Sequence, residues 1–182
     1  MSRFDAGLLE RARRAVAAFS AKPQEPAAPA QPVDDDEAIL AIVMPMCEHF
    51  EGFRSHPYLC SAGVPSIAFG ATYYLDGRRV TLKDPPVSVA HGRALLRAQL
   101  RRDFIPNVRR LCPAARTPQR IAALADWTFN LGAGRLQAST MRKRVNAEDW
   151  PGARAECLKW DMAAGRRLRG LARRRQAEAA LL

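Results

Sequence analysis

Apolar residues recur at helical spacing over most of the chain, with one interruption of a different texture. Leu8, Leu9, Ala12, Val16 and Phe19 share one face of residues 4–19, which predicts a short amphipathic helix. Residues 21–36 follow with four prolines, no aromatic residue and an acidic end. Such a stretch buries too little apolar surface to offset its chain entropy, so an extended linker is expected. The folded unit is expected to begin at Glu37. Ile39, Ile42, Val43 and Met46 then fall at i, i+3, i+4 and i+7, behind Asp34, Asp35 and Asp36 as helix starters. Pro45 is expected to kink this helix or mark its boundary, and Gly52 is placed to cap its end behind Glu51.

From Tyr58 to Thr81 the helical period is lost. Tyr58, Ile67, Phe69, Tyr73, Tyr74 and Val80 sit among Gly63, Pro65, Gly70 and Asp76-Gly77, a pattern of short strands and tight turns. Helical patterning then returns. Ser88 is placed to cap a helix carrying Leu96, Leu100 and Phe104, which Pro106 is expected to limit. Thr117-Pro118 opens another helix, with Ile121, Leu124, Ala125 and Thr128 on one face. Ser139 and Asp149 are further caps, and a last helix closes the chain. The predicted architecture is α+β and mainly α: residues 1–36 as helix and linker, residues 37–182 as one domain with a small sheet among helices.

Composition narrows the class. No run approaches the roughly 18–20 apolar residues of a membrane span, and Arg11, Arg13 and Arg14 break up the N-terminal segment, so no export signal is read there. Cys47, Cys60, Cys112 and Cys157 have neither CxxC spacing nor a histidine pair, so no metal site and no cofactor are expected. Net charge is +11, with −1 over residues 1–36 and +12 over the remainder. A field of that sign gathers polyanions without choosing among them. The run Arg166 to Arg175 has no interleaved aromatics and matches no binding module, so no nucleic-acid partner is expected; it reads as a solvated face.

Glu51 is the candidate for chemistry. It closes an apolar helix just before the sheet region, where burial would disfavour its charged form and raise its pKa, as a general acid for glycosidic cleavage requires. Taken alone, it reads better as an ordinary surface glutamate at a helix end. Its surroundings change this reading. Eight residues separate Glu51 from Cys60 and five separate Cys60 from Ser66, which opens Ser66-Ile67-Ala68-Phe69-Gly70. Downstream lie residues 121–146, containing Phe129-Asn130-Leu131-Gly132 and Ser139-Thr140, and residues 160–181, containing Gly170-Leu171 and Arg173-Arg174-Arg175. In this order the segments resemble the bacteriophage-type lysozymes, glycoside hydrolase family 24, over about residues 38–182. Four positions depart from that pattern: Cys60 where many members carry Asp, Ser66 for Thr, and Ala68 and Ala71 for Gly and His.

The resemblance implies a lysozyme-like fold, with a small antiparallel sheet lobe and a helical lobe enclosing a cleft. It also implies a muramidase, cleaving the β-1,4 bond between N-acetylmuramic acid and N-acetylglucosamine in peptidoglycan without a cofactor. Glu51 then takes the acid role. Cys60 serves as weak base, nucleophile or water holder if its pKa falls below about 8.5; otherwise it is a small buried apolar group. Ser66 orients a water or satisfies the strand edge. Tyr58, Phe69, Asn130 and Gly132 are the candidate substrate contacts. Two other functions fit the same residues: a lytic transglycosylase using Glu51 alone, and a non-catalytic wall-binding virion protein. Expected partners are peptidoglycan glycan strands, anionic envelope polymers through the basic surface, and a virion component for residues 1–36, with the chain itself a monomer. It is expected in the host cytoplasm, reaching the wall through a holin lesion or in a virion.

Overall fold

The computed structural model describes residues 35–60 and 62–182. The helix expected at residues 4–19 and the linker after it lie outside these, apart from Asp35 and Asp36. Those two stand in the first turn of helix α1 (Asp35–Glu51), where carboxylates favour the positive end of the helix dipole. Pro45 does not break α1, which runs through it to Glu51. It sits on the exposed face, where the carbonyl lacking a partner meets water. Ile39, Leu40, Val43 and Cys47 form the buried stripe. Gly52 ends the helix at φ +69°, its N–H donating to Glu48 O at 3.1 Å.

Strands β1 (Arg54–Leu59) and β2 (Pro65–Ala68) pair antiparallel, with Tyr58 opposite Ser66 and a register shift between Arg54 and Tyr58. Asp76-Gly77 does form a tight turn, flanked by a bridge between Tyr73 and Arg79. Helix α2 (Val89–Gln99) is capped by Ser88, which accepts from His91 N–H. Pro106 does not limit it. The helix widens into a π turn over Leu100–Phe104, and α3 (Ile105–Leu111) continues with Pro106 in its first turn. The π turn thus ends shortly before the residue that lacks an N–H.

Helix α4 (Pro118–Leu131) is the centre of the core. Every residue from Ile121 to Thr128 is buried, not one face of the helix only. It packs against α1, α3 and the last helix. Helices α5 (Ala133–Ala138), α6 (Thr140–Asn146) and α7 (Trp150–Leu158) follow, with Ser139 and Asp149 accepting backbone N–H bonds as N-caps. A two-stranded ribbon, β3 (Met162–Ala163) with β4 (Arg166–Arg167), leads into α8 (Arg169–Ala179). Trp127 is wholly buried and meets Trp160 edge to face at 5.1 Å.

Candidate active site

Glu51 ends α1 with its side chain 27% exposed, facing a groove of about 320 Å³ lined by Phe50, Asn130, Leu168, Leu171 and Arg174. It is neither in open water nor dry among apolar groups. Arg174 of α8 donates from Nη1 to Glu51 Oε1 at 2.5 Å. The same guanidinium grips Asp126 of α4 through Nε and Nη2, at 2.8 and 2.9 Å, and lies 5.3 Å from the Phe50 ring centre. Burial alone would weaken the arginine's charge. Its bonds to Asp126, then the charge of Glu51, hold it firmly protonated. Cys47 on α1 donates its thiol to Asp126 Oδ1 at 3.2 Å.

The basic run before α8's end is therefore only partly a solvated face. Arg173 is exposed, while Arg174 and Arg175 are buried at 2% and 0% exposure. Arg174 is the groove residue bonded to Glu51 that sequence reading missed. The available signal was Asp126, a carboxylate inside an otherwise apolar helical stretch. A buried carboxylate needs a cation or several N–H donors.

The β1–β2 turn carries Cys60. Its N–H donates to Val64 O at 3.0 Å, closing the turn. Backbone groups of Val64 and Ala62, then the Ser66 hydroxyl, favour the Cys60 thiolate and lower its pKa. The other three cysteines are buried. Ser66 is 1% exposed and donates to Val64 O at 3.1 Å, so its hydroxyl both satisfies the strand end and faces the thiol. Tyr58 lies under the Arg54 guanidinium, 4.3 Å from its ring centre. Burial raises the Tyr58 pKa, Arg54 opposes this, and Glu51 and Cys60 both add to it through space. Glu51, Tyr58, Cys60 and Ser66 thus share one neighbourhood.

Asn130 joins them from the end of α4, on the groove wall beside Glu51. Gly132 caps α4 at φ +91°, a conformation that suits glycine. Phe69 is elsewhere: it is 4% exposed and packs on Phe53 at 5.4 Å, so its ring has no face left for a sugar.

Residues 48–178 match the phage lysozyme family model. The chain belongs to that family. This phage lysozyme is 34% identical over 133 residues to the SAR-endolysin of Escherichia phage Mu, covering 73% of this chain and 74% of that protein. It is 32% identical over 145 residues to an endolysin of Acyrthosiphon pisum secondary endosymbiont phage 1, covering 75% and 91%. Among solved structures it superposes on the endolysin from Escherichia coli O157:H7 phage FAHEc1 with TM-score 0.66 and 25% identity, over 85% of this chain and 94% of that one. It shares its fold with P22 lysozyme at TM-score 0.66 and 24% identity, over 80% and 94%. As a phage lysozyme, it is a glycoside hydrolase that acts on the peptidoglycan of the cell wall.

Proposed function

We propose that Glu51 is the proton donor of this muramidase and that Cys60, with Ser66, handles the attacking water. The observation that carries the reading is the asymmetric hold on Glu51. Arg174 fixes Oε1, while Oε2 has no hydrogen-bond partner among the described residues and stands at the groove. Protonated Oε2 gives its proton to the glycosidic oxygen as the bond to the anomeric carbon breaks. Arg174 then stabilises the carboxylate left behind. Because it is already committed to Asp126 by two bonds, this stabilisation needs no rearrangement during the reaction.

A water completes the reaction at the anomeric carbon. The Cys60 thiol, its pKa lowered first by backbone groups of Val64 and Ala62, is suited to accept that water's proton, and Ser66, bonded to Val64 O, holds the turn that carries it. A water-activating group favours hydrolysis over the transglycosylase reading, in which the sugar's own hydroxyl attacks. The excess of cations over the folded region suits retention on anionic envelope polymers, a contact that salt weakens.

The deciding experiment compares wild type with Glu51→Gln on purified sacculi. The variant is expected to clear none of the wall, and the wild-type digest to carry reducing ends without anhydro-muramic ends. Full clearing by Glu51→Gln would remove Glu51 from the acid role, and anhydro ends would replace hydrolysis with transglycosylation.

A further inference from the structure

The buried groups behind the groove carry an inference about what Asn130 recognises. Asn130 Oδ1 accepts from Arg175 Nη2 at 3.1 Å. An arginine only donates, so this contact fixes the polarity of the amide: the oxygen faces the protein, and the Nδ2 donors are turned away from Arg175. Nδ2 has no acceptor among the described residues, and Asn130 lines the groove beside Glu51.

Arg175 is itself held from behind. It is 0% exposed, and the same Nη2 donates to Glu178 Oε1 at 2.7 Å. Its Nε and Nη1 have no hydrogen-bond partner among the described residues. All the hydrogen bonding of a wholly buried guanidinium therefore passes through one nitrogen shared by Glu178 and Asn130. Glu178, also 0% exposed, is fixed in turn from α7, where the Cys157 thiol meets its Oε2 at 3.5 Å. Swinging Asn130 away would leave Arg175 with one partner in a dry interior, a costly arrangement.

We propose that Asn130 donates from Nδ2 to a carbonyl oxygen of the bound glycan, and that Arg175, locked by Glu178, is the positioning residue that fixes this polarity. The inference rests on the groove beside Glu51 being where the glycan lies. Two groups of the substrate offer such an oxygen: the N-acetyl carbonyl, and the lactyl group of muramic acid, whose carbonyl is a free carboxylate once the stem peptide is removed.

The test is calorimetric titration of the full chain with soluble glycan strands stripped of stem peptides, before and after chemical de-N-acetylation. Asn130→Leu is expected to weaken binding of the acetylated strands by roughly tenfold, the size of one good hydrogen bond. Arg175→Met should weaken it too, and the double variant should bind no worse than Asn130→Leu alone, because both act through one contact. A purely structural role for Arg175 would instead add its effect to that of Asn130→Leu. If the variants match wild type on de-N-acetylated strands, the acceptor is the N-acetyl carbonyl; if they stay weaker there, it is the lactyl carbonyl. Should Arg175→Met fail to fold, the unaltered protein still answers, since the side-chain amide resonance of Asn130 is expected to shift when glycan is added. Wild-type affinity in Asn130→Leu, or an unmoved Asn130 amide, would overturn the proposal. The titrations are run in a Glu51→Gln background, so that they read binding without cleavage of the strands; wall clearing that survives in Glu51→Gln would refute the acid assignment, whereas the Asn130 effect on affinity is read independently of it.

Discussion

Arg174 joins Glu51 to Asp126: one guanidinium holds the candidate acid at 2.5 Å and a wholly buried carboxylate at 2.8 Å. Because Arg174 is 3% exposed and Asp126 0%, solvent screens their bond little. Arg174→Met keeps the length of the side chain but strands the Asp126 charge. It is expected to cost about 3–5 kcal/mol of stability, the usual penalty for breaking a buried pair from one side. It should also lower turnover, since Glu51 loses its anchor. Urea denaturation followed by tryptophan fluorescence, beside a turbidity assay on sacculi, checks both effects. Stability within about 1 kcal/mol of wild type would show that the pair is not holding the interior.

The four thiols are expected to react in a strict order. Cys60 is partly exposed and its pKa is lowered, first by backbone groups of Val64. Burial pushes Cys112 up to about 11 and raises Cys47 and Cys157 as well. At neutral pH, iodoacetamide should therefore label Cys60 first and spare the others in the folded protein, as read by peptide mass spectrometry. Labelled protein should lose wall-clearing activity. Cys60→Ser is expected to impair clearing more than Ser66→Thr; equal activity of Cys60→Ser and wild type would reduce the thiol to a spacer.

Stability should fall as pH rises through the neutral range because of Glu178. Burial, then its contact with Asp126, raises its pKa from an ordinary value of 4.5 to about 9. Between those values the folded state holds a proton that the unfolded chain has released, so raising the pH favours unfolding. The stabilisation is complete below pH 4.5 and lost by about pH 9, at a slope of at most about 1.4 kcal/mol per pH unit. Glu178→Gln cannot titrate and should flatten this part of the curve. Unfolding midpoints measured from pH 5 to 9 test it, and parallel curves for variant and wild type would contradict it.

Ala68 stands at φ +57°, in the left-handed region that disfavours side chains. Ala68→Gly should relieve this strain, offset in part by glycine's extra chain entropy, for a net gain of about 1 kcal/mol. That corresponds to about 2–4 °C in Tm for a domain of this size. Gly92→Ala should do the opposite, because its new Cβ would lie 2.8 Å from Ala68 Cβ and 2.9 Å from Phe53 Cε2. Combining the two changes removes one of these clashes, so the double variant should recover part of the loss. Calorimetric melting of the three variants decides this, and strict additivity would count against it.

What could be read from the sequence was mostly local. Ser88, Thr117, Ser139 and Asp149 act as caps where they were expected, since a cap bonds only to N–H groups a few residues on. Gly52 closes α1 for the same reason. Pro45 and Pro106 misled because a proline's effect depends on the face and turn it occupies, which neighbouring letters do not reveal. Arg174 and Arg175 were hidden for a deeper reason. Their partners Asp126 and Asn130 lie 48 and 45 positions away, and a string of arginines looks the same whether water or a carboxylate receives it. Phe69 looked like a sugar platform, yet the strand turns its ring inward against Phe53.

Glu51 and Arg174 are separated by 123 positions along the chain. A ribosome has therefore made the acid, the thiol and the whole sheet before it adds the guanidinium that anchors the acid. Until α8 emerges and docks, the candidate acid lacks the guanidinium that holds it. Order of synthesis alone thus delays wall-cutting competence until Arg174 has been made, and a chain that stalls before Arg174 is expected to be harmless to the cell making it.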